Sequence, residues 1–222
     1  VARLLVIAKA PVAGRSKTRL CPPCTPEQAA ALAEAALVDT LAAVADTACG
    51  GRTLVLDGPR GDWLPDCFEV VPQRGRGLGE RLAAAFSHRG EPALLIGMDT
   101  PQVCPELLGE ALEQLERPGA DAVLGLAEDG GYWAIGLRAP QPTAFEGVPM
   151  SSPRTGARQR ERLRRLGLTV QDLPMLRDVD DIDDARSGRT TAGRVRARAG
   201  GVGAEPCLSS VCAAPPISTR AR

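Results

Sequence analysis

The residues with most chemistry to offer come early in the chain. Residues 9–20 read K-A-P-V-A-G-R-S-K-T-R-L, which gathers Lys9, Arg15, Lys17 and Arg19 around Gly14, with no acid before Glu27. An apolar run, residues 3–8, leads into this stretch. A buried strand opening into a basic, glycine-containing loop and then a helix is a common way for α/β proteins to hold phosphate groups. A solvated basic loop is the competing reading, because Lys and Arg are the usual surface residues. The P-loop pattern is excluded: it needs glycines at positions 11 and 16, where this chain has Pro11 and Ser16.

Carboxylates supply the second set of candidates. Ile96-Gly97-Met98-Asp99-Thr100-Pro101 places Asp99 just past an apolar run, where open α/β sheets bind their ligands. A carboxylate there, together with substrate phosphates, suits Mg²⁺ or Mn²⁺; it also suits a turn or helix cap. The acidic segment 178–184 brings Asp180 and Asp183 within one helical turn, as metal ligands or as ordinary first-turn acids. In Asp129-Gly130-Gly131-Tyr132-Trp133 a carboxylate stands beside flexible backbone and two of the chain's six aromatics. That is either an acceptor pocket or a hairpin turn. Residues 73–81, Q-R-G-R-G-L-G-E-R, form a second glycine-rich loop in which Gln73 has the donors and acceptors to read a base edge. They lack the G-x-G-x-x-G spacing of a dinucleotide fingerprint.

These candidates need elements to position them. Residues 3–8, 53–56, 68–71, 93–97 and 121–126 are continuously apolar, which predicts strands covered on both faces. Helices are expected between them. The first opens on Thr25-Pro26-Glu27-Gln28, with an N-cap, a proline at the first helical position and a capping Gln. Others are expected at Leu78–His88, from Pro105 to about Arg117, and at Thr155–Leu166. Alternating strands and helices predict an α/β fold with a mostly parallel sheet. After residue 126 the spacing allows strand, turn, strand up to Leu137 with no helix between, so the sheet should be mixed; a further short strand is expected near Leu168–Leu173.

Composition narrows the classes. The 222 residues suffice for one α/β domain, and 27 basic against 27 acidic groups leave no global field for nucleic acid or an anionic membrane. Six arginines against Glu205 fall in residues 187–222, a Gly/Ala/Arg/Pro-rich stretch expected to be a disordered tail; residues 1–186 form the expected domain. Seven irregularly spaced cysteines point to reduced thiols, and with His88 the only histidine, Cys21-Pro-Pro-Cys24 lacks partners for a zinc site. No signal peptide is apparent and no apolar run reaches the ~20 residues of a membrane span, so a cytoplasmic location is expected.

Five motifs, K-A-P-V-A-G-R-S-K-T-R-L, Q-R-G-R-G-L-G-E-R, G-M-D-T-P, E-D-G-G-Y-W and D-V-D-D-I-D-D, occur in register over residues 3–186. Together they resemble a bacterial family of GT-A-type nucleotide-diphospho-sugar transferases, the arsenosugar-biosynthesis-type glycosyltransferases. More distantly the chain resembles 2-phospho-lactate guanylyltransferase and the molybdenum-cofactor guanylyltransferase. The resemblance implies a GT-A-like three-layer αβα sandwich and transfer of a sugar from a nucleotide-diphosphate donor to a small-molecule acceptor. It implies that Lys9, Gly14, Lys17 and Arg19 line the diphosphate and that Gln73 and Gly79 border the base. Asp99 would stand for the family's metal-binding aspartate, and Gly130, Gly131 and Tyr132 would face the acceptor with Asp129 as base. Lys17 would neutralise the departing diphosphate. The D-x-D motif common in such enzymes is incomplete, with Gly97 at its first position. Two alternatives remain: a guanylyltransferase-like nucleotidyl transfer to a phosphorylated acceptor, with Asp180 and Asp183 holding a second metal, and a catalytically silent nucleotide-binding domain. Whether the chain forms a homo-oligomer is left open.

Overall fold

The computed structural model describes residues 1–98, 100 and 102–176. Within them the seven strands are β1 (Arg3–Lys9), β2 (Arg52–Asp57), β3 (Glu69–Pro72), β4 (Ala93–Gly97), β5 (Ala122–Ala127), β6 (Tyr132–Leu137) and β7 (Val170–Leu176). They form one sheet in the order β3-β2-β1-β4-β6-β5-β7. Every neighbouring pair is parallel except those of β6, which runs antiparallel to both β4 and β5. The expected mixed, mostly parallel sheet is therefore present. The strand-turn-strand of residues 122–137 is its cause: a four-residue turn allows only an antiparallel return.

Alternation along the strands sorts the core into two layers. Leu4, Val6, Leu54, Leu94 and Ile96 pack with Leu37, Leu41 and Val44 of α1 (Pro26–Asp46) and Leu108, Leu112 and Leu115 of α3 (Pro105–Glu116). Leu5, Val55, Leu95, Leu124 and Ile135 face the other way, against Leu82 and Phe86 of α2 (Leu78–Ser87) and Leu163 of α4 (Thr155–Arg165). A strand's side chains point to opposite faces with period two, so continuous apolar strands demand helices on both sides. The result is a three-layer αβα sandwich.

The N-terminus of α1 carries the capping box expected of it. The Thr25 hydroxyl accepts from the Gln28 amide at 3.2 Å and the Gln28 side chain accepts from the Thr25 amide at 2.9 Å. At 21 residues α1 is long and apolar enough, by length and composition, to cross a membrane, which differs from the expectation that no run would qualify. Half of its most apolar window is buried inside the molecule, with Leu37, Leu41 and Val44 in the core against the sheet. The acidic segment at 178–184 and the expected tail at 187–222 lie outside the described residues, as do Asp99 and Pro101.

Candidate functional site

The strand order creates a place for a ligand. From β1 the chain moves by way of α1 to β2 on one side, and from β3 by way of α2 to β4 on the other. The carboxyl ends of β1 and β4 therefore flank a topological switch point, where the loops diverge and leave a crevice. The carboxyl ends of β2, β3 and β5 and the start of β6 share this edge, and the described sequence candidates cluster on it.

Lys9 ends β1 and is exposed. With Ala10, Val12, Arg15, Asp57 and Gly58 it lines a small, shallow cleft that opens to solvent. The loop is held from beneath: the buried Ser16 hydroxyl donates to the Ala10 carbonyl at 2.8 Å and accepts from the Val12 amide at 3.2 Å. Gly14 has the positive φ of 74° that its turn requires. Lys17 is left-handed, at φ 49°, and caps the short 3-10 helix Thr18–Leu20, which also carries the exposed Arg19. A non-glycine residue in that region is strained by roughly 1–3 kcal/mol, and such strain concentrates at functional sites. Lys9 and Arg15 thus form the wall of the cleft, with Lys17 and Arg19 on the turn beyond it.

Two residues that the sequence reading missed complete the cleft. Asp57 closes β2 as the register partner of Lys9, and its carbonyl accepts from the Ala10 amide at 2.8 Å. Gly58 follows at φ 120°, where a Cβ would come within 2.7 Å of Ala10. Asp57 is paired with Arg81 of α2, Nη1 to Oδ2, at 3.3 Å. One signal was available in the sequence: Asp57 stands just past an apolar run, as Asp99 does.

Gln73 was expected to border a base. Its amide nitrogen donates to the carbonyls of Ala8, at 2.8 Å, and Val55, at 3.2 Å. Its Oε1 accepts from Arg81 at 3.1 Å. The side chain ties together the ends of β1 and β2, which fully occupies both amide hydrogens. Gly79 lies in the first turn of α2, where a Cβ would come within 3.3 Å of the Phe145 carbonyl.

Asp129, Gly130 and Gly131 form the turn between β5 and β6. The Asp129 carboxylate accepts from the Gly131 amide at 2.7 Å, and Asp129 is exposed. Gly130, at φ 87°, is locked in place: a Cβ there would lie 1.9 Å from the Pro153 carbonyl, while its own carbonyl accepts from Gly156 at 2.9 Å. Pro153, which the sequence reading did not single out, and Gly156 in the first turn of α4 are therefore the seat of this turn. Tyr132 begins β6 with its hydroxyl buried and without a partner among the described residues, and burial pushes the phenol upward, so it stays neutral. Two strands separate β1 from β5, so at about 4.8 Å per strand the turn lies roughly 14 Å along the edge from the cationic loop.

A divalent metal would need a donor set. Among the described residues no group of three or more His, Cys, Asp or Glu side chains is suitably placed. Of the described carboxylates at this edge, Asp57 is engaged with Arg81 and Asp129 with the Gly131 amide. The described residues therefore do not by themselves fit a metal, and the candidate ligands Asp99, Asp180 and Asp183 lie outside them.

Comparison with known proteins places this geometry in context. Residues 30–152, just over half the chain, match the profile of a family described as an uncharacterized protein conserved in bacteria, DUF2064. The chain is similar to the structure of a provisionally named nucleotide-diphospho-sugar transferase from Desulfovibrio desulfuricans G20, with 28% identity and a TM-score of 0.79 over 89% of this chain and 93% of that one. It also resembles a CMP:2-keto-3-deoxy-manno-octonic acid synthetase in complex with CTP, at 11% identity and TM-score 0.53 over 82% and 94% of the two chains. A mannosyltransferase from Pyrobaculum calidifontis, in complex with GDP-Man and Mn²⁺, matches at 12% identity and TM-score 0.52, over 80% of this chain and 56% of that one. At such identities the last two speak to the fold alone. No curated protein matches the chain in sequence. The fold expected from the five motifs, that of the nucleotide-diphospho-sugar transferases, is the fold of this chain.

Proposed function

The chain belongs to the bacterial family DUF2064, and from that premise we propose that it transfers a sugar from a nucleoside-diphosphate donor to a small-molecule acceptor. The observation that carries this reading is the convergence of two chemistries on one sheet edge. The Lys9 and Arg15 wall stands at the switch point beside β1, and the Asp129–Tyr132 turn stands roughly 14 Å further along. That spacing suits an extended donor, with its diphosphate on the cations and its sugar toward the turn.

In this reading Lys9, Arg15, Lys17 and Arg19 face the negative charge that grows on the departing nucleoside diphosphate. Fixed cations in a partly sheltered cleft stabilise such a transition state more than its ground state. Asp129, its orientation set by the Gly131 amide, is the proposed base for an acceptor hydroxyl. Gly130, Gly131 and Tyr132, which carry the chain from this turn into β6, are the proposed acceptor-facing residues. Asp99, directly after β4 and Met98, is the proposed ligand of a divalent cation, Mg²⁺ or Mn²⁺, which would supply Lewis-acid assistance to the diphosphate.

Incubation with a panel of nucleotide sugars and nucleoside triphosphates, followed by product analysis, tests this reading. Release of a nucleoside diphosphate supports it. Release of pyrophosphate from a triphosphate would replace it with nucleotidyl transfer on the same edge.

A further inference from the structure

The cleft has an internal conflict. Asp57 is the register partner of Lys9 on the adjacent strand, and both side chains line the cleft beside Arg15. Opposite charges on neighbouring strands and the same face pair by default. A Lys9–Asp57 pair would neutralise the cation nearest the switch point and leave a carboxylate against any bound phosphate.

Arg81 resolves that conflict. Its Nη1 reaches Asp57 Oδ2 at 3.3 Å and Gln73 Oε1 at 3.1 Å, and its Nε donates to the Gly75 carbonyl at 3.3 Å. Gln73 in turn grips the carbonyls of Ala8 and Val55, so the guanidinium is anchored to the ends of the same two strands that carry Lys9 and Asp57. Among the described residues neither Lys9 nor Arg15 makes an ion pair, while Asp57 is held on the side of α2. The side chains of Arg81 and Asp57 are only 29% and 32% exposed, so water screens their charges incompletely.

We infer that Arg81 is a positioning residue for the phosphate cleft: by holding Asp57 it keeps Lys9 and Arg15 available to an anionic ligand. The inference rests on the diphosphate reading proposed above. It assigns Arg81 no contact with the ligand; its effect passes through Asp57.

Titration calorimetry with inorganic pyrophosphate and with a set of nucleoside diphosphates tests it, with circular dichroism confirming that each variant is folded. The wild type should bind at least one probe. Arg81→Met should weaken that binding on the order of tenfold, as an uncompensated carboxylate competes for the cations. Arg81→Lys should retain most of it. Asp57→Asn should bind at least as tightly as the wild type, and Asp57→Asn/Arg81→Met should match Asp57→Asn, because without the carboxylate no negative charge remains to be held away from Lys9 and Arg15. That recovery separates electrostatic positioning from a merely structural brace, and it can be read even if Arg81→Met alone does not fold. Unchanged affinity in Arg81→Met, failure of the double variant to recover, or loss of binding in Asp57→Asn would each overturn the assignment. If the wild type binds no probe, the diphosphate reading fails first and the assignment falls with it.

Discussion

At the scale of single residues, the site was legible where function resides in sequence neighbours and illegible where it resides in long-range partners. Lys9, Gly14, Lys17 and Arg19 fall within one short stretch, residues 9–19, so their loop could be read directly. The part played by Asp57 depends on Arg81, 24 residues away, and Gln73 is captured by a carbonyl 65 residues away. Spacing along the chain does not reveal either. Tyr132 makes the sharpest prediction at this scale. Its hydroxyl is buried without a partner among the described residues, and such a group costs about 1–3 kcal/mol. Tyr132→Phe should therefore raise the melting temperature of the ligand-free protein by roughly 2–4 °C for each kcal/mol recovered. A lower melting temperature in calorimetry would show that the hydroxyl already has a partner.

At the scale of elements, strands β1, β2, β4 and β5 were readable because burial on both faces leaves continuous apolar runs. The insertion of β6 between β4 and β5 was only half readable. The turn at 128–131 announced an antiparallel return, but nothing local says that β6 would take the inner place beside β4. The seat of that turn on Pro153 and Gly156 was hidden as well, because Gly130 meets Pro153 only in the folded chain. Two glycine substitutions measure how firmly this seat is built. Gly130→Ala adds a methyl at φ 87° and 1.9 Å from the Pro153 carbonyl, and should cost about 2–4 kcal/mol. Gly109→Ala, in the middle of α3 with open space around it, should instead stabilise by about 0.5–1 kcal/mol. Urea midpoints read both; equal effects would mean that the turn rests loosely on its seat.

At the scale of the whole molecule, the two edges of the sheet divide the work. The carboxyl edge carries the cleft, while the amino edge is tied by charge. There Glu69 accepts from Arg89 at 2.7 and 3.1 Å and from the His88 ring at 3.0 Å, with Arg3 at 3.5 Å. The Arg89 and His88 hydrogen bonds hold its carboxyl down to about 2, against an ordinary value of 4.5. A depressed carboxylate contributes stability that is present above its unfolded value and lost as pH falls through the folded one. The difference in stability between wild type and Glu69→Gln should thus be full at pH 6 and shrink steadily from about pH 4.5 toward 2. A difference undiminished from pH 6 to pH 2.5 would mean the network is not held by this charge. The carboxyl edge admits a more direct trial, and it bears on the central claim that this edge holds a nucleotide donor. Thermal unfolding would be followed with nucleoside diphosphates, triphosphates and nucleotide sugars, each with and without Mg²⁺ or Mn²⁺. At ~100 times its dissociation constant the right ligand should add about 2.7 kcal/mol of stability. At least one nucleotide sugar should give such a rise in the wild type and a smaller one in Lys9→Ala at the same concentration. An unchanged melting temperature across the whole panel would contradict the claim.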